Sequence, residues 1–108
     1  MKNMKNHYQV VGPVLTYGLP REVDHHVAKD MCQELDQLIG AYGATELVLD
    51  FSKTEFMDSS GIGVVIGRSK TMRFRGGKVV VTGIGKRVDT IFRSAGLYQI
   101  LEVRKDGE

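Results

Sequence analysis

The chain has 108 residues, of which 42% are apolar and 26% charged, with a formal net charge of +2. That length fits one small domain, which leaves about a third of its unfolded surface wet, and the composition is that of an ordinary globular protein. No stretch approaches the roughly 18 apolar residues of a membrane span, the near-balanced charge gives no general argument for nucleic acid, and the single cysteine, Cys32, excludes an internal disulfide or a C-x-x-C site.

The first ten residues carry lysines without an apolar h-region, so they do not read as a signal peptide. A cytoplasmic protein is expected, with Cys32 buried in a helix rather than reactive. Val10 and Val11, then Val14, Leu15 and Tyr17, form two apolar runs broken by Gly12-Pro13. Proline supplies no ladder donor, so this predicts a hairpin and not one strand. From Asp24 the period changes. Val27, Met31, Leu35, Leu38 and Ile39 recur at helical spacing, with Asp24 as N-cap and Gly40 as the stop, a helix of about 15 residues.

"TELVLDFS" is a compact run that alternates poorly, as expected of a strand covered on both faces. A second helix follows Phe56 through Ile62, Val64, Val65, Ile66 and Met72, ending near Gly76-Gly77. "KVVVTG" is another buried strand. Val88, Ile91, Phe92 and Ala95 make a third helix closed by Gly96, "YQILEV" reads as the last strand, and the polar tail "RKDGE" is expected to fray. The order β-β-α-β-α-β-α-β places the chain in the α/β class, with a mixed sheet of about five strands and right-handed parallel crossovers.

The stretch "FMDSSGIGVVIG", Phe56 to Gly67, invites several chemistries. Neither Ser59 nor Ser60 sits in the G-x-S-x-G frame of a nucleophile elbow, and nothing in the spacing brings His25 or His26 to them as a base. The dinucleotide fingerprint requires glycine where Ile66 stands, and "GIGKRV" fails as a P-loop because Arg87 occupies the Ser/Thr position. Gly63 and Gly67 are instead expected to let the helix approach its sheet. Asp24-His25-His26 suggests a metal site, but adjacent helical residues point about 100° apart, so the histidines do not easily share an ion. Arg68, Lys70, Arg73, Arg75 and Lys78 read as the solvated face of the second helix, without an aromatic platform for nucleic acid.

What survives is "DSSG" at a loop-to-helix junction. Asp58 or Ser59 as a cap, worth about 1 kcal/mol, explains it without any function. A hydroxyl displayed at a helix N-terminus also suits phosphorylation, because free N–H groups and the helix dipole tolerate the added charge of about −1.5 to −2. From the residues alone, both readings stay open.

The segments "EVDHHVA" (Glu22 to Ala28), "FMDSSGIGVVIGR" (Phe56 to Arg68), "GGKVVVTG" (Gly76 to Gly83) and "IFRSAGLYQIL" (Ile91 to Leu101) carry a resemblance. With the order of elements, they make nearly the whole chain similar to the STAS domains of bacterial anti-sigma factor antagonists, and the "DHH" pairing resembles the SpoIIAA type of sporulating bacteria. The resemblance implies a single STAS domain over residues 1–108, ordered from about 8 to 103, and a phosphoprotein switch rather than an enzyme.

In that switch the unphosphorylated form binds an anti-sigma factor that is also a serine kinase, and so releases the sigma factor. Phosphorylation of Ser59 ends the contact, and a metal-dependent serine phosphatase restores it. Asp24, Asp58, Ser59, Ser60 and Gly61 are the implied partner-binding residues. No cofactor, bound metal, nucleic-acid or membrane partner is expected. An alternative is a STAS partner-binding module in a stress-signalling or scaffold complex. The family usually has Gly-Glu before the hydrophobic-Asp pair, whereas Arg21 stands here in the glycine's place. This cation bears on partner choice or offers a counter-charge to phosphoserine.

Overall fold

The computed structural model describes residues 7–105. The end of the polar tail, from residue 106, lies outside this range. The chain opens with an antiparallel hairpin, β1 (Tyr8–Val11) and β2 (Val14–Gly18), turning at Gly12-Pro13 as the sequence predicts. A two-residue strand, β3 (Glu22–Val23), leads into helix α1 (His25–Tyr42). Strand β4 (Glu46–Asp50), a second short strand β5 (Phe56–Met57) and helix α2 (Ser59–Phe74) follow. Strand β6 (Lys78–Thr82), helix α3 (Lys86–Ala95), a 3-10 turn (Leu97–Gln99) and strand β7 (Glu102–Arg104) complete the order.

The main sheet runs β1-β2-β4-β6-β7, antiparallel only at its first pair. This is the mixed five-stranded sheet expected. Leu47, Val48 and Leu49 are buried in succession, so β4 is covered on both faces and loses the period-two signature of a half-exposed strand. Leu15, Tyr17, Leu47, Leu49, Val79 and Val81 belong to the main core with the helices, whereas Val48 and Val80 lie on the opposite face. On that face the Arg104 Nη2–Glu46 Oε2 pair, 3.1 Å, joins β7 to β4 and so crosses β6. Lys78–Glu102, 3.1 Å, bridges β6 to β7 beside it. Val80 is wholly buried there, consistent with long charged side chains laying their stems over it. Arg104, expected in a fraying tail, is therefore strand-paired and ion-paired.

Four further expectations need correction. Helix α1 passes through Gly40 and stops at Gly43, whose φ of 61° is left-handed and whose N–H bonds to Ile39 O. A glycine inside a helix costs about 1 kcal/mol relative to alanine but does not end it; the left-handed residue does. The segment "YQILEV" is not one strand, because Tyr98 turns inward, its ring 5.5 Å from that of Phe92 and its hydroxyl donating to Asp89 Oδ1 at 2.6 Å. Only Glu102–Arg104 remains extended.

Gly63 and Gly67 do not admit the sheet, for a Cβ at either would meet nothing within 4 Å. Arg68 is not on a solvated face. Its side chain is 12% exposed and its Nε lies 3.3 Å from Asp36 Oδ1 of α1, so it sits between the two helices.

Candidate functional site

The site is made by the smallest elements of the fold. Strands β3 and β5 pair in parallel with Glu22 opposite Phe56 and Val23 opposite Met57. Asp24 and Asp58 thus follow at equivalent positions, and Asp58 N donates to Val23 O at 3.2 Å. Each aspartate is extended and each opens a helix. Asp24 Oδ1 accepts from Val27 N at 3.0 Å, and Asp58 Oδ1 from Ser60 N at 2.8 Å and Gly61 N at 3.3 Å. The N-termini of α1 and α2 therefore start side by side, and neither first turn contains an acidic residue. The Val27 N–H bond, with help from His26, holds the Asp24 carboxyl below its ordinary value against the desolvation that opposes it.

Because Asp58 does the capping, Ser59 is released from it. Ser59 is exposed at the first helical position, and among the described residues its hydroxyl makes no hydrogen bond. Ser60 is half-buried, and its Oγ lies 3.5 Å from His25 Nδ1. Gly61 is buried, and its role is steric: a Cβ there would come within 2.9 Å of Met57 Cβ and 3.1 Å of Val23 Cγ1. Glycine lets the first turn of α2 settle on the β3–β5 pair, so the side chains offered to the surface are those of Asp24, Asp58, Ser59 and Ser60.

Arg21 reaches Glu55 instead of the serines, with Nε 3.2 Å from Oε1 across the same pair of loops. Its carbonyl accepts from both Glu55 N and Phe56 N, so its backbone anchors the β5 entry whatever its side chain does. The His25 and His26 rings meet edge-to-face at 5.9 Å. Among the described residues no group of three or more His, Cys, Asp or Glu is placed to hold a metal ion. Cys32 is partly buried on α1 and packs at the margin of the core.

Two participants were not read from the sequence. Phe56 is 50% exposed beside the motif while its neighbour Met57 is buried. The two-residue alternation that produces this is too short to detect as periodicity. His25 faces Ser60 only because β3 and β5 align their helices, across a separation of 35 residues.

The chain is similar to known proteins. The model of the STAS domain matches residues 5–107. The anti-sigma F factor antagonist of Paenibacillus polymyxa is 32% identical over 90 residues, which cover 83% of this chain and 77% of that protein. The anti-sigma-B factor antagonist of Listeria monocytogenes is 31% identical over 88 residues, covering 81% and 76%. Among solved structures, the anti-sigma factor antagonist SpoIIAA in its unphosphorylated form has a TM-score of 0.79 at 24% identity, covering 92% of this chain and 89% of that one, which speaks for the fold. With nearly its whole length matched and relatives above 30% identity, the chain belongs to the STAS-domain family.

Proposed function

We propose that this chain is an anti-sigma factor antagonist, a partner switch controlled by phosphorylation of Ser59. Unphosphorylated, it binds an anti-sigma factor that is also a serine kinase, and the sigma factor leaves. Transfer of a phosphoryl group to Ser59 ends the complex, and a metal-dependent serine phosphatase resets it. On this reading the protein is a cytoplasmic regulator rather than a catalyst, and Asp24, Asp58, Ser59 and Ser60 face the partner while Gly61 supports them.

The observation that carries the reading is the free, exposed hydroxyl of Ser59 at a helix start whose cap is already supplied by Asp58. The charge argument gives the size of the switch. An uncompensated charge buried in an interface costs roughly 3 to 5 kcal/mol, and each 1.4 kcal/mol is tenfold in affinity, so binding falls by at least about a hundredfold.

A second reading has its own support. Antagonists named for sigma F and for sigma-B match at nearly equal identity, 32% and 31%, so a module in a stress-signalling complex uses the same serine chemistry with a different kinase. One titration distinguishes them. Unphosphorylated and Ser59-phosphorylated chain are titrated against an anti-sigma F and an anti-sigma-B factor. Tight binding to one, lost on phosphorylation, identifies the partner; equal binding of both forms refutes the switch.

A further inference from the structure

Two hydroxyls stand next to each other in the motif, and a kinase that reached either would find the same helix start. The structure separates them. Ser59 Oγ is exposed and without a hydrogen-bond partner among the described residues, whereas Ser60 is half-buried with its Oγ at 3.5 Å from His25 Nδ1. The Ser60 backbone is also fixed, its N–H bonded to Asp58 Oδ1 at 2.8 Å. On the other side His25 is the first residue of α1, held in place by the Asp24 cap and by the edge-to-face contact with His26.

We infer that His25 is a positioning residue that biases which of the two serines takes the phosphate, by engaging the hydroxyl of Ser60 in a long, solvent-exposed contact; the inference rests on the phosphorylation switch proposed above. Either partner can supply the proton of this contact: Nδ1 accepts from the Ser60 O–H, or donates to Oγ when it carries the proton itself. In the transfer, a serine Oγ forms a bond to the γ-phosphorus of ATP, the bond to the β-γ bridging oxygen breaks, ADP leaves, and the hydroxyl proton goes to a base of the kinase. In-line attack requires an oxygen that is open to the nucleotide and free to release its proton outward. Ser59 meets both conditions, while the Ser60 hydroxyl is directed toward α1.

The test maps phosphate by mass spectrometry in the parent chain and in His25→Ala, His25→Phe and His25→Asn. The kinase is the anti-sigma factor retained on the immobilised chain from its native cell, with ATP and magnesium. In the parent, phosphate is expected on Ser59. In His25→Ala, the share on Ser60 is expected to rise by about twofold, the factor that a long, exposed hydrogen bond at the weak end of the range gives. His25→Asn, whose amide oxygen can accept in the same region, is expected to restore the preference for Ser59, which a merely structural role would not do. His25→Phe keeps a ring without the acceptor and is expected to fall between.

The imidazole nitrogen resonances supply a second readout. They are expected to differ between the parent and Ser60→Ala, because that substitution removes the Oγ that lies 3.5 Å from His25 Nδ1. Phosphate confined to Ser59 in all four proteins, or identical imidazole spectra in the parent and Ser60→Ala, overturns the role of His25 alone. No phosphate on the parent chain overturns the switch and this inference together.

Discussion

At the residue scale, two aspartates in equivalent positions do the same local work and leave different neighbours free. Asp58 satisfies the N–H groups of Ser60 and Gly61, which leaves the Ser59 hydroxyl unoccupied. Asp24 satisfies Val27, which leaves His25 to meet Ser60. The Asp24 bond has a pH signature. Its carboxyl is held low in the folded protein by the Val27 N–H. The unfolded chain therefore binds the proton first as pH falls, so the stabilisation is fully present above the ordinary aspartate value near 4 and is lost as pH drops through the lower folded value. Asp24→Asn is expected to flatten this loss. Urea midpoints between about pH 2 and 6 check it, and parallel acid limbs for the two proteins would contradict it. The Asp24 cap itself was legible in the sequence, because a cap depends only on its own helix. The separate duties of Ser59 and Ser60 were not, because they depend on a ring from another helix.

At the element scale, α1 and α2 are joined by apolar packing and by one ion pair, Arg68 Nε to Asp36 Oδ1. Arg68 Nε and Nη1 are buried without a hydrogen bond of good geometry, so the guanidinium depends on charge attraction to stay comfortable between the helices. Removing one partner and removing the charge altogether should then differ. Asp36→Ala, which leaves a buried cation uncompensated, is expected to destabilise by about 1 to 2 kcal/mol, discounted because Asp36 is half-exposed. Arg68→Met, which removes the charge and keeps an apolar stem, is expected to cost less. Chemical denaturation of both variants decides it, and the reverse order would show that the pair is a net stabiliser.

Helix periods were legible here and boundaries less so. Gly43 ends α1 through its left-handed conformation, which composition does not distinguish from Gly40. Arg68 read as a surface cation because charge alone does not say which side of a helix a neighbour will cover.

At the scale of the whole molecule, the sheet and the candidate site hydrogen-bond separately but share one core, in which Val23 and Met57 pack with Leu47, Leu49 and Val81. The parallel strands and the Arg104–Glu46 bridge lie away from the β3–β5 pair that aligns the two caps. The phosphate proposed for Ser59 would enter at a helix N-terminus, where an anion is favoured by about 0.3 to 1 kcal/mol, and next to Asp58, whose like charge would oppose it. The two effects have opposite sign. Phosphorylation is expected to move the unfolding free energy by less than about 1 kcal/mol while affinity for the anti-sigma factor falls at least a hundredfold. Paired denaturation and titration of the two forms check this, and a large loss of stability would mean that the switch works by unfolding the domain.

The sequence by itself determined the α/β class, the hairpin, the three helices and the Asp24 cap, and it placed a cap at Asp58 or Ser59 without deciding between them. Those features follow from period, turn chemistry and capping, which act within a few residues. Only the tertiary structure decided that Asp24 lies level with Asp58, that His25 faces Ser60 and that Arg68 is enclosed. A two-residue parallel register joins Glu22–Val23 to Phe56–Met57, and such a pairing is fixed by the core that buries Val23 and Met57 rather than by any local preference.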